Sequence, residues 1–556
     1  MRKRSQSPRV LRIVRWRIRR FSSRLERHPP EWLNQLTPWM TSLSVHALIL
    51  MLLGFGVLAS TGDSKDGELV ASLPTDQLIE DITALQPADQ AGDPMANADT
   101  GDAPSLTLDP SQVDPNVTNL PELPPDFVLG KDLQMNNPGN TAEAAPTPAI
   151  GAAGPGGFQG MPGASGPKMA PFSGRSKDMR SAIVRREGGT VLSEQAVTRG
   201  LNWIVRHQGP DGNWSLNHRP FCKGAGCPSD AHMDSDTAAT GLALLPLLGA
   251  GRIHTDPSDY SKNVKGGLDW LVKKQKPNGD LWTGGGGNTQ MYSHAIATMA
   301  LSEAYGVSKD EALKAPAQKA IDFIVKAQNP NDGGWRYSPG APGDTCVFGW
   351  QMFALRSGAL AGLEVPLESV EKCRKYLDRA KGDEYGSTYV YFADNNRNPS
   401  PVMSAEGLLC RQYLGWQRDF PPLLVGSERI FARLQDEIDF DKDTGAMVGL
   451  KSRNIYFWYY ATQLLHNMQG PYWVQWNVQV RESLIATQNN LNGCAKGSWD
   501  PVLILADGRR LDDAWGRQAG RMFTTSLSLL TLEVYYRYLP LYQARDKHAM
   551  GGGKEK

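Results

Sequence analysis

Several residues in this chain have the types and spacing that chemistry needs. Asp234 and Asp236 offer paired carboxylates, and Asp344 stands two residues before Cys346, close enough for a carboxylate and a thiolate to share one metal ion. Tyr292 with His294, Ser404 with Glu406, and Lys451, Arg453, Tyr456, Arg517, Arg521 and Thr524 stand, like them, beside the starts of apolar helical runs. Gathered around one concave mouth, these residues would be acidic on one side and basic on the other, which suits a polar or anionic ligand. The plain alternative is that Asp and Ser at helix starts are N-caps. Cys222 and Cys227 flank the tetrapeptide KGAG with His218 and His232 nearby. Zinc or a local disulfide would each fit there, and outside the cytoplasm the disulfide is favoured. The run Tyr456 to Tyr460, YFWYY, with Trp350, either lines a cavity for a cationic ligand or packs large helices together; packing is the simpler reading. The sequence contains no phosphate-binding loop or dinucleotide fingerprint. Neither a cofactor nor a nucleic-acid partner is expected.

These residues need helices to carry them. From about Val191 the hydrophobic pattern has helical period and pairs off into six hairpins. The second member of each pair is the more apolar, as in TAATGLALLPLLG after Asp236, whereas the first members carry Lys and Arg on one face. Six outer and six inner helices make an all-α, α6/α6 toroid, in which the inner helices all start at one end and their dipoles add there. Between the helices a motif recurs: RGLNWIVRHQGPDGNW, KGGLDWLVKKQKPNGDLW, QKAIDFIVKAQNPNDGGW and the looser VRESLIATQNNLNGCAKGSW. Each is a helix end, a glutamine, a Gly-bearing turn and a tryptophan. The predicted role of Gln208, Gln275 and Gln328, with Trp214, Trp282, Trp335 and Trp499, is to staple one hairpin to the next.

The motif resembles the QW repeats of squalene and oxidosqualene cyclases, and protein prenyltransferase β-subunits are similar. The likeness runs over roughly residues 190 to 540 and implies the toroid. Class II terpene cyclases carry DxDDTA, whose third residue protonates the substrate. This chain has MDSDTA at Met233 to Ala238: aligned on Asp236, Thr237 and Ala238 it places Ser235 where the resemblance expects the acid, shifted it matches Asp234 and Asp236 but loses the last Asp, and neither alignment restores the motif. The prenyltransferase stretch DxCxxxWQ is matched by Asp344, Cys346, Trp350 and Gln351, but the histidine that completes zinc binding in that family is replaced by Phe523. Tightly bound zinc is therefore not expected. Candidate acids, if the chain is an enzyme, are Asp234, Asp236 and Asp344.

The chain ahead of the toroid differs in composition. Residues 1–40 form a basic, cytoplasmic segment; 41–60 are free of charged side chains and long enough for a single transmembrane helix; 61–180 form an acidic, then Gly/Pro-rich, disordered linker. The toroid is expected over 181–545, with a disordered tail at 546–556. The positive-inside rule puts the toroid outside the cytoplasm, on an inner-membrane anchor. The expected function is a membrane-tethered binding or scaffold module with a lipid, isoprenoid or protein ligand in its cavity. The alternatives are an isoprenoid- or lipid-modifying enzyme and a carbohydrate-active toroid.

Overall fold

The computed structural model describes residues 171–542, apart from 223–226, 229–230, 287, 394–397, 441–446 and 506. The expected basic segment, membrane helix and tail, and the linker up to 170, lie outside these residues. No helix among the described residues is long and apolar enough to cross a membrane.

Helix α1 (Lys177–Glu187) precedes six helix pairs. These are α2 (Val191–Arg206) with α3 (Asp236–Gly249), α4 (Ser261–Lys274) with α5 (Gln290–Ser308), and α6 (Glu311–Ala327) with α7 (Thr345–Ala361). They continue as α8 (Leu367–Arg379) with α9 (Pro401–Tyr413), α10 (Pro421–Glu437) with α11 (Ile455–Met468), and α12 (Pro471–Ala486) with α13 (Gly516–Leu532). A single turn, α14 (Val534–Arg537), follows. The second helices pack side by side in the order α3, α5, α7, α9, α11, α13 and back to α3, so the ring closes.

Burial explains which helix goes inside. In α3 every residue from Thr237 to Gly249 is buried, and α7 and α11 are nearly as apolar all round. Outer helix α6 buries only one stripe, Leu313, Ala317, Ala320, Ile321 and Ile324 among it. Ser235, Asp344 and Asn454 cap α3, α7 and α11, accepting from Ala238 N at 3.1 Å, Val347 N at 2.8 Å and Phe457 N at 3.0 Å. Each such cap contributes about 1 kcal/mol and fixes where an inner helix begins.

The glutamine turns join neighbouring outer helices. The amide nitrogens of Gln208, Gln275 and Gln328 each donate to a carbonyl in their own turn and to one in the next outer helix: Asn263 at 2.8 Å, Pro316 at 2.9 Å and Ser369 at 3.1 Å. In the looser fourth copy Gln488 donates to Ala196 at 2.8 Å, tying the last hairpin to the first. Gly212, Gly279, Gly333 and Gly497 in these turns have φ between 78° and 94°, and a side chain on any of them would strike a backbone carbonyl of the next outer helix. The indoles of Trp214, Trp335 and Trp499 donate at 2.8 Å to Ile204, Ile324 and Leu484 in the preceding helix. Trp282 differs. Its turn has one more residue after the glycine, so buried Leu281 fills the tryptophan slot and Trp282 donates to Thr289 instead, at 3.2 Å.

Two features depart from the all-α expectation. A two-stranded sheet, β1 (Ile438–Phe440) with β2 (Met447–Leu450), leads into α11, and another, β3 (Val502–Ile504) with β4 (Arg510–Asp512), leads into α13. Both lie in long connections, where a hairpin satisfies backbone groups that no helix reaches. At the end where the inner helices finish, Glu303 is fully buried between Arg175 at 2.8 Å and Arg537 at 3.1 Å, and Tyr538 donates to it. Burial alone would raise this carboxyl, but the two guanidiniums outweigh it and hold it below its ordinary range.

Candidate functional site

The inner helices start around a cavity of about 90 Å³. Its exposed lining is apolar, with Met233, Ile296, Trp350, Tyr456 and Phe523 among the residues that form it. Beneath it the toroid is filled by aromatic rings: Trp350 stacks on Tyr459 with centroids 5.9 Å apart, and Phe353 meets Tyr460 at 5.5 Å. The Tyr456 to Tyr460 run therefore mostly packs, with Tyr456 alone of the three tyrosines reaching the cavity.

Of the residues expected at the mouth, Tyr292, Cys346 and Tyr456 line the cavity. The Cys346 thiol lies 3.0 Å from the Tyr456 hydroxyl, which also accepts from the Trp350 indole at 3.0 Å and from Tyr460 at 3.0 Å. Burial pushes the Cys346 thiol well above its ordinary range. Asp344, fully buried two residues earlier, spends one oxygen on its helix cap and holds the other 3.6 Å from Arg336 Nε. Burial raises it to about 7 against the pull of that cap and of Arg336. Glu406 of α9 is also fully buried, its oxygens without hydrogen bonds and its carboxyl packed on Gly349. Burial and the Asp344 charge push it well up.

Asp234 and Asp236 do not line the cavity. Asp234 is exposed, 3.4 Å from Asn217 Nδ2, and Asp236 turns toward Asn213, which donates to it at 3.0 Å. Burial raises the Asp236 carboxyl. Between them Ser235 does line the cavity, capping α3 with its oxygen 2.7 Å from the Ser293 hydroxyl. His294 is a framework residue. Leu281 N donates to its Nδ1 at 3.1 Å and its Nε2 lies 3.0 Å from the Ala320 carbonyl, the part that Thr240 and Thr525 play in accepting from the amides of Trp214 and Trp499. Burial lowers its pKa to about 4.

The basic side of the mouth is not where the sequence placed it. Lys451 is exposed and pairs with Asp439 at 2.8 Å, and Arg517 is exposed. Arg453 is buried 3.6 Å from Asp513 and donates to the Asp500 carbonyl. Arg521 donates to Ser498 Oγ at 2.9 Å and to the Pro228 carbonyl at 2.9 Å, and pairs with Asp500. The connections carrying β1 to β4 consume these charges. Trp515, Gln518 and Ala519 stand on that side of the mouth instead, and no helical period marks them in the sequence.

A closed ring of six helix pairs, stapled by glutamine turns around an apolar mouth, defines an α/α toroid of the QW-repeat kind. Residues 193–352 match the family described as squalene-hopene cyclase C-terminal domain. The squalene–hopene cyclase of Bradyrhizobium diazoefficiens is 32% identical over 162 residues, 27% of this chain and 22% of that enzyme. The chain is thus squalene cyclase-like, while the match spans about a fifth of that relative's length. Among solved structures, an α-1,6-mannanase of Salegentibacter sp. HEL1_6 is 12% identical with a TM-score of 0.42, covering 62% of this chain and 99% of its own. A type II terpene cyclase from Scytonema, in complex with merosterolic acid A, is 14% identical with a TM-score of 0.39, covering 62% and 98%.

Proposed function

We propose that this chain is a membrane-tethered, extracytoplasmic binding module that holds an apolar group at the mouth of its toroid without cyclising it. The observation that carries this reading is Ser235: it lines the cavity at the position that the cyclase likeness, aligned on Asp236, Thr237 and Ala238, assigns to the proton donor, and it is spent on a helix cap and on Ser293. A serine hydroxyl is far too weak an acid to protonate an alkene. The cavity, about 90 Å³, also falls short of the roughly 300–1,000 Å³ of sites that enclose a whole small molecule. It fits the end of an acyl or isoprenoid chain or one apolar side chain. The uncharged stretch 41–60 and the acidic linker after it support the tether.

The full-length protein, incubated with squalene and with prenyl diphosphates, is expected to bind without turnover. Reproducible product that disappears in Asp236→Asn overturns the binding reading. A reporter that folds only outside the cytoplasm should be active when fused after Gly174, and silence there overturns the stated topology. A second reading, an isoprenoid- or lipid-modifying enzyme, rests on Asp344, whose carboxyl burial raises to about 7 just behind cavity-lining Cys346. Turnover lost in Asp344→Asn and kept in Asp236→Asn selects it. The carbohydrate-active alternative gains nothing from a cavity whose described lining includes no carboxylate.

A further inference from the structure

Ring closure assembles four donors that are not among the residues lining the cavity. His207 ends α2, Cys222 and Cys227 lie in the connection from α2 to α3, and Cys494 lies in the fourth glutamine turn, 287 residues after His207. His207 Nε2 stands 3.2 Å from Cys494 Sγ and 3.3 Å from Cys227 Sγ, and Cys222 Sγ is 3.4 Å from Cys227 Sγ. The four donor atoms all lie within 4.8 Å of one another. A tetrahedral zinc ion with sulfur at about 2.3 Å and nitrogen at about 2.0 Å separates its ligand atoms by about 3.5–3.8 Å, so small adjustments would seat one here.

The surroundings are those of a ligand set. His207 Nδ1 is 2.8 Å from the Trp203 carbonyl, which can only accept, so the ring proton sits on Nδ1 and the Nε2 lone pair faces the sulfurs. The Trp203 ring stacks on the imidazole with centroids 4.3 Å apart, which holds its plane. The Arg521 guanidinium donates to the Pro228 carbonyl at 2.9 Å, one residue past Cys227, and places a positive charge beside what would be a singly negative zinc tris-thiolate.

We propose that His207, Cys222, Cys227 and Cys494 form a structural zinc site that clamps the last hairpin of the ring to the first. Binding displaces the three thiol protons to solvent and involves no oxidant. Four protein ligands complete the coordination shell, so the ion has no open position for substrate and acts by joining chain segments. The sequence paired the two loop cysteines with His218 and His232. The ring brings His207 and Cys494 to them, while His232 is exposed.

The test is elemental analysis of the full-length chain purified anaerobically without chelator, beside cobalt substitution. About one zinc per chain is expected, with affinity falling at least about 10–100-fold in Cys494→Ser and in His207→Gln and retained in Cys346→Ser. The cobalt form should show thiolate-to-metal charge transfer in the near ultraviolet and the intense visible bands of a tetrahedral ion. His207→Cys keeps four ligands and should keep the metal, which separates ligation from a variant that merely misfolds. A metal-free chain with its thiols reduced, a Cys222–Cys227 disulfide, an octahedral cobalt spectrum, or metal that leaves with Cys346→Ser would each overturn the proposal.

Discussion

Two cysteine-bearing regions of the toroid begin from similar spellings and end with different chemistry. At Asp344 and Cys346 a carboxylate and a thiol share the start of one inner helix, and Phe523, which has no donor atom, borders the cavity they adjoin. Both groups are buried, and burial holds both toward their protonated forms. At His207 the donors come from three separate stretches of chain and converge within 4.8 Å. Spacing along one helix start supplies two ligands at most, whereas closure of a ring can supply four. Local sequence is thus a poor guide to which cysteine in this fold meets a metal.

That contrast can be tested most strongly at Asp344. Its folded pKa, about 7, lies above the ordinary carboxylate value, so between pH 4 and 7 the folded state binds a proton that the unfolded state has released, and stability falls as pH rises through that window. Asp344→Asn keeps a cap oxygen and removes the penalty. It should match the parent near pH 4 and exceed it at pH 8 by up to about 4 kcal/mol in denaturant unfolding, from roughly three pKa units at 1.36 kcal/mol each. A pH-independent difference would mean that Asp344 is charged and paired in the folded protein.

A smaller effect is expected at the other corner. Stripping metal with a strong chelator should cost about 3 kcal/mol or more, the stabilisation given by a ligand held a hundredfold above its dissociation constant. An unchanged melting temperature after stripping would leave the two regions equivalent. The smallest effect is expected for Cys346→Ser: the new hydroxyl can keep the contact to Tyr456, and the loss should be within about 1 kcal/mol, with or without chelator. A loss as large as that on metal removal would show that Cys346 is itself a ligand.

The helices were legible because burial is written with helical period and the glutamine turns mark where outer helices end. Asp344, at an inner-helix start, was readable as a cap by type alone. Tyr292 and Cys346 reached the cavity because each sits within the first turn of its inner helix. Arg453 and Arg521 did not, because the connection ahead of α13 brings Asp513 and Asp500 to them, and a contact across such a loop leaves no period in the sequence. Trp282 looked like its counterparts, yet one added residue moved Leu281 into the slot. His207 and Cys494 were missed for the reason that makes them close: only a ring places the first hairpin beside the last.

Arg175 sets a boundary that helix assignments alone would put too late. It reaches the floor of the toroid from just ahead of α1, donating at 3.0 Å to the Arg537 carbonyl and pairing with Glu303. Glu533, a second fully buried carboxyl nearby, is pushed well above its ordinary range by burial, against the pull of Arg180, Arg537 and Arg175. An expression fragment trimmed to the ring itself, starting at Val191, would lose Arg175 and Arg180 together and leave the buried Glu303 carboxylate to the Arg537 guanidinium. For anyone cutting this chain, the smallest piece that neutralises its own interior starts before Arg175.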